Sequence, residues 1–286
     1  MKTKKWLFPI ILSTAAFVFA ACGSSDKAEA DKLQQIKDSG KLVVGTSPDF
    51  PPYEFYILNE TGEKEIVGSD VALAQAVADE IGVDLEFKAT DFNGVLANIQ
   101  TNSVDFGISG FVGTDQRKEI MDFSDGYQQE VDDGFQGVLV SKKIADQYKT
   151  LDELKAANLV IGAQGGSIQF ETAGLLTDAK NIKQFGTMDA AVLALNSGDI
   201  QAVTVSTSSV EPLLTTFPDL VILPKEEFNL DTENKYGTNV IGFPKGDDTK
   251  SFIDLVNNVI KENKDNGNLD KWKEEAKEQA KNALEE

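Results

Sequence analysis

Arg117 is the residue with the most distinctive chemistry, because it is the only arginine in a chain of 286 residues that uses lysine everywhere else. It lies in the stretch GTDQRKEIMDFSDGY, residues 113 to 127. A guanidinium presents a planar fork that holds a carboxylate by two parallel hydrogen bonds, which a lysine ammonium cannot reproduce. One interpretation is therefore a carboxylate-binding site. The other is an ion pair with Asp115, Asp122 or another of the 47 acidic side chains, although exposed pairs contribute only ~0–1 kcal/mol and seldom require arginine.

The composition excludes several other kinds of chemistry. The chain has no histidine and a single cysteine, Cys22, so the usual Ser-His-Asp, Cys-His and zinc sites cannot form. Its net charge of −20 repels phosphate backbones, which argues against nucleic acid as a partner. The sequence has no phosphate loop, dinucleotide fingerprint or metal-spaced cluster, and we therefore expect no cofactor and no metal.

The first residues predict export to the cell surface. MKTKK is a basic start, and the apolar run that follows is about 15 residues long, shorter than the ~20 that a permanent membrane helix needs. Cys22 follows the small pair Ala20-Ala21. This arrangement resembles the lipobox of bacterial lipoproteins, which implies a signal peptide over residues 1–21, lipidation of Cys22 and a flexible tether over residues 22–32. We expect the protein on the extracytoplasmic face of the cell membrane of a Gram-positive bacterium.

The elements that must position Arg117 are predicted by hydrophobic periodicity. Strands and helices alternate after residue 33, which favours a parallel sheet in an α/β domain. The predicted elements of this first unit are a helix in LQQIKDSG, a strand in KLVVG, a helix in SDVALAQAVADEIG, a strand in DLEFKA, a helix in FNGVLANIQTN and a strand in VDFGISG. The loop that carries Arg117 directly follows the last of these strands.

The same alternation starts again after residue 140 and predicts a second α/β lobe. Its predicted elements are helices in LDELKAA, SIQFETAGLL and MDAAVLALNSG and strands in LVIGAQ, NIKQFG, IQAVTVS and LVILPK. In open sheets of this kind, ligands bind beyond the carboxyl ends of the strands. Two lobes that face each other would therefore form a cleft from the segments GTSPDF, GISGFVGTDQR, GAQGGS and VTVSTSS.

The long stretch DFNGVLANIQTNSVDFGISGFVGTDQRKEIMDFSDGY resembles the signature of the family 3 extracellular solute-binding proteins, which serve bacterial importers of polar amino acids. The segments GTSPDFPPYEF, YGTNVIGFPKGD and DNGNLDKW follow in the family's order, and the likeness to the glutamine-binding members spans residues 33 to 275. The resemblance implies a two-lobed periplasmic-binding-protein-like type 2 fold, with a hinge of two segments.

The resemblance also implies the domain boundaries. Lobe 1 is expected to comprise residues 33–127 and 237–286, and lobe 2 residues 128–236. The hinge segments are expected near residues 127–133 and 231–236.

Transferred position by position, the resemblance implies a set of ligand-binding residues. Arg117 and Thr114 would hold the carboxylate of the ligand, and an aromatic pair would enclose its side chain. The helix that opens in GGSIQ has free N–H groups and a dipole that also favour an anion. The full predicted set is Phe50, Phe92, Gly110, Phe111, Val112, Thr114, Arg117, Gln164, Ser167, Ile168 and Ser206. Whether Gln164 or Glu171 recognises the ligand's side chain is left open at this point.

The sequence departs from the family where the ligand's α-ammonium would bind. Ser206 stands at the position of the family's aspartate, Val112 replaces a hydroxyl residue, and Ser47 replaces an acid. Removing the carboxylate partner of a desolvated ammonium costs several kcal/mol. We therefore hypothesise a ligand that has a carboxylate but no free α-ammonium, or one that presents its ammonium to Asp49 or Asp91.

These observations favour a monomeric, lipid-anchored receptor that closes over a small carboxylate-bearing solute and delivers it to the permease subunits of an ATP-binding-cassette importer. The solute is expected to be an amino acid or an amino-acid derivative. Two other functions remain open: a dehydratase-like enzyme of the same fold, and a surface adhesin or sensor ectodomain. An adhesin would tolerate replacement of Arg117 by lysine, whereas a receptor would not.

Overall fold

The computed structural model of the chain describes residues 31–129 and 134–282. The predicted signal peptide, the lipidated Cys22 and most of the tether lie outside the described residues, as do positions 130–133 of the first predicted hinge segment. The first helix begins at Lys32, at the end of the predicted tether.

The first segment of the chain alternates strands and helices much as its periodicity predicts. Its elements are α1 (Lys32–Ser39), β1 (Lys41–Thr46), β2 (Asp49–Phe50), β3 (Glu54–Leu58), β4 (Lys64–Val67), α2 (Ser69–Ile81), β5 (Asp84–Ala89), α3 (Phe92–Gln100), β6 (Phe106–Gly107), α4 (Asp115–Lys118), β7 (Met121–Phe123) and β8 (Gln128–Gln129).

The second segment continues with β9 (Gln136–Ser141), α5 (Lys142–Ala145), α6 (Leu151–Ala157), β10 (Ile161–Gln164), α7 (Ile168–Ala173), β11 (Ile182–Phe185), α8 (Met188–Ser197), β12 (Ala202–Ser206), α9 (Thr207–Val210), β13 (Leu220–Ile222), α10 (Lys225–Phe228), β14 (Thr238–Asn239), β15 (Gly242–Pro244), α11 (Lys250–Asp265) and α12 (Asn268–Gln279). Short 3₁₀ helices cover Ala179–Asn181, Glu211–Thr215, Asp247–Thr249 and Ala280–Asn282.

The first lobe is built on a five-stranded sheet in the order β5-β1-β6-β15-β7. β1 pairs in parallel with β5 along its whole length, and with β6. β15 lies antiparallel between β6 and β7, although it is far from both in sequence. The prediction of a parallel sheet is therefore wrong for this edge. The sheet is mixed because a strand returns to it after the second lobe is complete.

The second lobe has a five-stranded sheet of similar design, in the order β11-β10-β12-β9-β13. β10 pairs in parallel with β11 and β12, whereas β9 is antiparallel to both β12 and β13. β9 was not predicted, because the second run of alternation was expected to begin only after residue 140. Together the two sheets give the two-lobed α/β fold that the sequence predicts.

The chain crosses between the lobes twice, and a small antiparallel ribbon marks the crossings. Gln128 lies opposite Asn239, and Gln129 lies opposite Thr238, so β8 and β14 connect the lobes side by side. The predicted hinge segments lie next to this ribbon. Bending at that point remains a prediction.

Each sheet is covered by helices that bury their apolar faces. In lobe 1, α2, α11 and α12 pack on one face of the sheet around the rings of Phe106, Phe243 and Phe252. α3 covers the other face through Val95 and Ile99, both fully buried. Comparable clusters lie on the two faces of the lobe 2 sheet. These cores fix the strand ends from which the polar loops project.

Within residues 31–129 and 134–282, no helix has the length and apolar character to cross a bilayer.

Candidate ligand-binding cleft

A narrow cavity of about 30 Å³ lies where the two lobes face each other, beyond the ends of β1, β6 and β10. Most of the predicted site residues meet there. The lining consists of Asp49, Phe50, Tyr53, Glu54, Phe92, Ser109, Gly110, Val112, Arg117, Gln136, Gln164, Ser167, Ile168, Gln169 and Asn239. Space of this size holds about two water molecules, so the lobes must move apart before an amino acid enters.

Arg117 spans the cleft. It lies on α4, whose first turn is capped by Thr114, since the Thr114 hydroxyl accepts a hydrogen bond from the Arg117 backbone N–H. Its guanidinium donates to the carbonyl of Val112 in its own lobe and to the carbonyl of Gly166 in the other lobe, each at 2.9 Å. Desolvation lowers the pKa of Arg117 to about 10, so the side chain remains charged at neutral pH.

The partners of Arg117 bear on the ion-pair interpretation of this residue. Within the described parts of the chain, Arg117 forms no ion pair, and the alternative pairing with Asp115 does not occur because Asp115 pairs with Lys118. Asp122 instead lies beside Lys245. A buried cation whose hydrogen-bond acceptors in the described chain are neutral carbonyls is well suited to an incoming carboxylate, which adds an opposite charge in direct contact.

The two predicted aromatic residues both line the cavity. The ring of Phe92 lies 5.3 Å from the Arg117 guanidinium and 5.2 Å from the ring of Phe111. The ring of Phe50 stacks on Tyr53 at 5.3 Å. In this closed arrangement each ring is packed by a neighbour from its own lobe. A ligand side chain between Phe50 and Phe92 therefore remains a prediction.

The wall that lobe 2 contributes is rich in carboxamides. Gln164 ends β10, and the Gln169 amide donates to the side-chain oxygen of Gln136 at 2.8 Å. The Ser167 hydroxyl caps α7 by accepting from the Phe170 N–H. Gln136 and Gln169 were missed by sequence reasoning. The strand that starts at Gln136 was not recognised, and nothing in the local pattern of GGSIQF points Gln169 toward the cleft.

Three predicted residues lie outside the cavity lining. Thr114 is buried as the cap of α4, and Phe111 is fully buried behind Phe92. Ser206, at the end of β12, is fully buried with its hydroxyl 3.1 Å from that of Ser208. Glu171, the residue considered beside Gln164, is exposed, and its carboxylate lies 3.5 Å from the Tyr236 hydroxyl.

Asp49 is a second bridge between the lobes. One carboxylate oxygen accepts from the Ser47 hydroxyl at 2.8 Å. The other accepts from the Gln164 side chain at 2.8 Å and from the backbone N–H of Met188, the first residue of α8, at 2.9 Å. Asp91, the other acid considered for an ammonium, is exposed and caps α3 instead. The sequence placed Asp49 near the cleft but did not indicate these contacts with lobe 2.

A buried pair of carboxyl groups belongs to the lobe 1 wall, where Glu54 lines the cavity and Asp70 lies beside it. Glu54 accepts from the Ser109 hydroxyl, and Asp70 accepts from the Tyr127 hydroxyl and the Gly110 N–H. Burial raises the pKa of Glu54 well above its usual range, and the nearby Asp70 adds to this effect. Burial also raises the pKa of Asp70. This pair holds the Gly110 loop in place.

Among the described residues, no group of three or more acidic or thiol side chains is arranged to bind a metal.

Gly166 allows the lobes to approach closely. Its φ angle is +72°, a left-handed conformation that glycine adopts without strain. A Cβ atom at this position would collide with Asn93 and contact Leu96, both on α3 of the other lobe. Glycine at this position therefore suits the backbone conformation that presents the carbonyl to Arg117, and it leaves room for the side chain of Asn93.

The fold and the cleft together define the class of two-lobed solute-binding proteins. The chain belongs to the bacterial extracellular solute-binding proteins, family 3, whose pattern it matches over residues 42–277. It is a binding protein and not an enzyme, which sets aside the dehydratase-like alternative.

Several relatives have established names. The chain is 30% identical to the arginine-binding extracellular protein ArtP of Bacillus subtilis over 94% of this chain and 96% of that protein. It is 26% identical to the L-cystine-binding protein TcyJ of Escherichia coli K12, over 89% of this chain and 91% of that one. The crystal structure of AbpA, an amino acid ABC transporter substrate-binding protein of Streptococcus pneumoniae bound to L-arginine, superposes with a TM-score of 0.75 at 31% identity, covering 88% of this chain and 100% of AbpA.

Proposed function

We propose that this protein is the substrate-binding component of an ATP-binding-cassette importer and captures an amino acid or amino-acid derivative by its carboxylate. The observation that carries the proposal is Arg117, a buried cation that lies in the cleft between the lobes and whose hydrogen-bond acceptors, among the described residues, are two carbonyls. A ligand carboxylate that replaces the Gly166 carbonyl would make two charge-assisted hydrogen bonds with the guanidinium. The names of the relatives support an amino acid as the solute.

The importer would recognise the closed form of the two lobes. Ligand contacts that exist only when Arg117 and the lobe 2 wall face each other bias an existing equilibrium toward the closed form. Since both walls of the cleft come from one chain, the protein is proposed to act as a monomer. Its closed surface would then dock on the permease subunits.

The absence of an acid at Ser206 shapes the proposed solute. The acids that line the cavity, Asp49 and Glu54, are both on lobe 1, and the lobe 2 part of the lining consists of uncharged residues. We propose that the solute lacks a free α-ammonium or presents it to the lobe 1 acids. Ser206→Asp should then improve binding of ordinary amino acids, which isothermal titration calorimetry would measure. Nanomolar binding of such an amino acid by the wild-type protein would contradict this part of the proposal.

The decisive experiment is a thermal melt of the purified protein with L-arginine, L-lysine and L-glutamine and with their N-acetyl and des-amino counterparts. A ligand at 100 times its dissociation constant adds about 2.7 kcal/mol of stability. At roughly 2–4 °C per kcal/mol for a chain of this size, the melting temperature rises by several degrees. No shift with any carboxylate would refute the proposal and favour the adhesin or sensor alternative.

The anchor is proposed from the sequence alone. Cys22 would carry the lipid that holds the protein on the outer face of the membrane of a Gram-positive bacterium, with the tether linking it to α1. Labelling of cells with a fatty-acid analogue should mark the wild-type protein. Cys22→Ser should abolish the label and release the protein into the medium, and a Cys22→Ser protein that stays bound to the membrane would contradict the anchor.

A further inference from the structure

We propose that Asp49 is a positioning residue that fixes the Gln164 carboxamide with its oxygen toward the cleft, so that the closed site selects solutes with a hydrogen-bond donor at that position. The inference rests on the proposed function and deepens it, because it names the chemical group of the solute that the lobe 2 wall recognises. Asp49 acts through Gln164 and is not itself required to touch the solute.

The first step is the amide orientation. The Gln164 side-chain nitrogen donates one hydrogen to Asp49, at 2.8 Å, and the other to the carbonyl of Gly186, at 3.2 Å. Both partners are pure acceptors, so they fix which end of the amide carries the nitrogen. Both amide hydrogens are then used by these two acceptors. The oxygen of Gln164 is the polar atom that remains to face the lined space.

The second step is the rigidity of Asp49. Its side chain is buried, and the carboxylate is held from both lobes, by Ser47 in lobe 1 and by the Met188 N–H and Gln164 in lobe 2. The Met188 N–H belongs to the first turn of α8, a helix of 10 residues, where a negative charge is favoured by the helix dipole. The carboxylate is therefore an anchor of fixed position for the amide.

The third step is that the orientation is assembled by closure. Asp49 lies on lobe 1, whereas Gln164, Gly186 and Met188 lie on lobe 2. When the lobes separate, Gln164 loses one of the two acceptors that define its orientation. When they close on a solute, Arg117 exchanges the Gly166 carbonyl for the solute carboxylate, and the contact of Asp49 with α8 forms again. The selectivity is therefore a property of the closed form.

These steps define the class of solute. A fixed carbonyl oxygen in a desolvated wall needs a donor, such as an ammonium, a guanidinium or an amide N–H. An alkyl end leaves that oxygen without a partner, and the loss weakens binding by roughly five- to a hundredfold. The preferred solute thus has a carboxylate at one end, for Arg117, and a donor at the other, for Gln164.

Two matched pairs of probes test the preference by calorimetry. L-lysine and L-norleucine share the amino-acid end and differ in the terminal ammonium. 6-Aminohexanoate and hexanoate also differ in the terminal ammonium, but both lack the α-amino group. The first pair therefore applies if the site accepts an α-ammonium, and the second pair applies if it does not. In each pair that binds, the wild-type protein should favour the donor-bearing member by about tenfold or more.

Three variants assign the preference to Asp49 and Gln164. Asp49→Leu keeps the size but removes the acceptor, so the amide is free to turn, and the ratio of the two dissociation constants should fall to about threefold or less. Asp49→Asn is the matched control, because its oxygen can still accept from Gln164 and Met188. It should keep the ratio while affinity for both members falls by about three- to tenfold, from the lost charge at α8. Gln164→Met should erase the ratio with Asp49 intact.

The outcomes separate the inference from the function that it rests on. Equal weakening of both members of a pair by Asp49→Leu, with the ratio kept, would show that Asp49 is merely structural and overturn the inference. Tighter binding of both members would also overturn it, because Asp49 would then be competing with the solute. A wild-type protein that binds the probes without preferring a donor refutes the inference and leaves the proposed function standing. Failure of every carboxylate to bind refutes both.

Discussion

Replacement of Arg117 by lysine is the perturbation that tests most directly how the cleft works. Lysine keeps the positive charge but loses the planar fork. In the structure the fork reaches two acceptors at once, the carbonyls of Val112 and Gly166, each at 2.9 Å. It also lies 5.3 Å from the ring of Phe92. We expect Arg117→Lys to retain the fold and to lose most of the affinity for a carboxylate.

The magnitude follows from these contacts. A hydrogen bond to a charged group contributes about 1.5–3 kcal/mol, and a lysine in this position can replace only one of the two bonds that the fork makes to a carboxylate. The weaker contact with Phe92 costs roughly 0.5–1 kcal/mol more. Together the loss is about 2–4 kcal/mol, which raises Kd by roughly 30- to 1,000-fold.

A second variant separates binding from stability. Arg117→Met removes a buried cation whose pKa is lowered to about 10 by desolvation, and an apolar replacement of such a group is often neutral or stabilising. The melting temperature without solute should therefore stay the same or rise, while carboxylate binding is lost. Lys118→Ala is the control, since Lys118 lies next to Arg117 but is exposed and pairs with Asp115 on the surface.

The assay is calorimetric titration with L-lysine or 6-aminohexanoate, whichever the wild-type protein binds, together with a thermal melt of each variant. Lys118→Ala should change neither quantity by more than about 1 kcal/mol. Unchanged affinity in Arg117→Lys would refute the carboxylate reasoning. A large drop in melting temperature in Arg117→Met would instead assign Arg117 to the stability of the closed lobes.

Two further predictions concern the lobe contact and the buried acids. Gly166→Ala should weaken solute binding more than tenfold, because its Cβ would collide with Asn93 across the cleft. Gly198→Ala is the control: it introduces a similar left-handed strain of roughly 1 kcal/mol, but in open space, and should leave Kd unchanged. Equal Kd values for the two variants would contradict this prediction. Burial raises the pKa of Glu54, so the folded chain holds a proton that the unfolded chain releases, and stability is lost as the pH rises from about 4.3 toward the raised value. Glu54→Gln removes this loss, and in thermal melts its advantage over the wild-type protein should grow as the pH rises above about 4.3. An advantage independent of pH would contradict the assignment.

Local patterns were sufficient for most helices and for the parallel strands. The helix in SDVALAQAVADEIG spans Ser69–Ile81 and ends before Gly82, whose left-handed conformation stops it as expected. β1, β5, β10 and β12 likewise fall inside the predicted apolar runs. These elements are short-range consequences of periodicity and capping, and a single sequence contains both signals.

The antiparallel strands show where such patterns fail. β15 has three residues and becomes a strand only because β6 and β7 flank it. β9 opens with Gln136 and Gly137 before its apolar residues, so its start had no clear signal in sequence. Short strands of this kind are decided by the partners that satisfy their backbone hydrogen bonds, and those partners are distant in the chain.

The sequence by itself determined that one arginine had to be special, that histidine and cysteine chemistry was excluded, and that two α/β units would place their strand-end loops together. Only the tertiary structure decided what those loops do to each other. Asp49 meets Gln164 across more than a hundred positions of sequence, and Ser206 turns its hydroxyl to Ser208 rather than to the cavity lining. Contacts between lobes depend on the relative placement of separate hydrophobic cores, and no local periodicity encodes that placement.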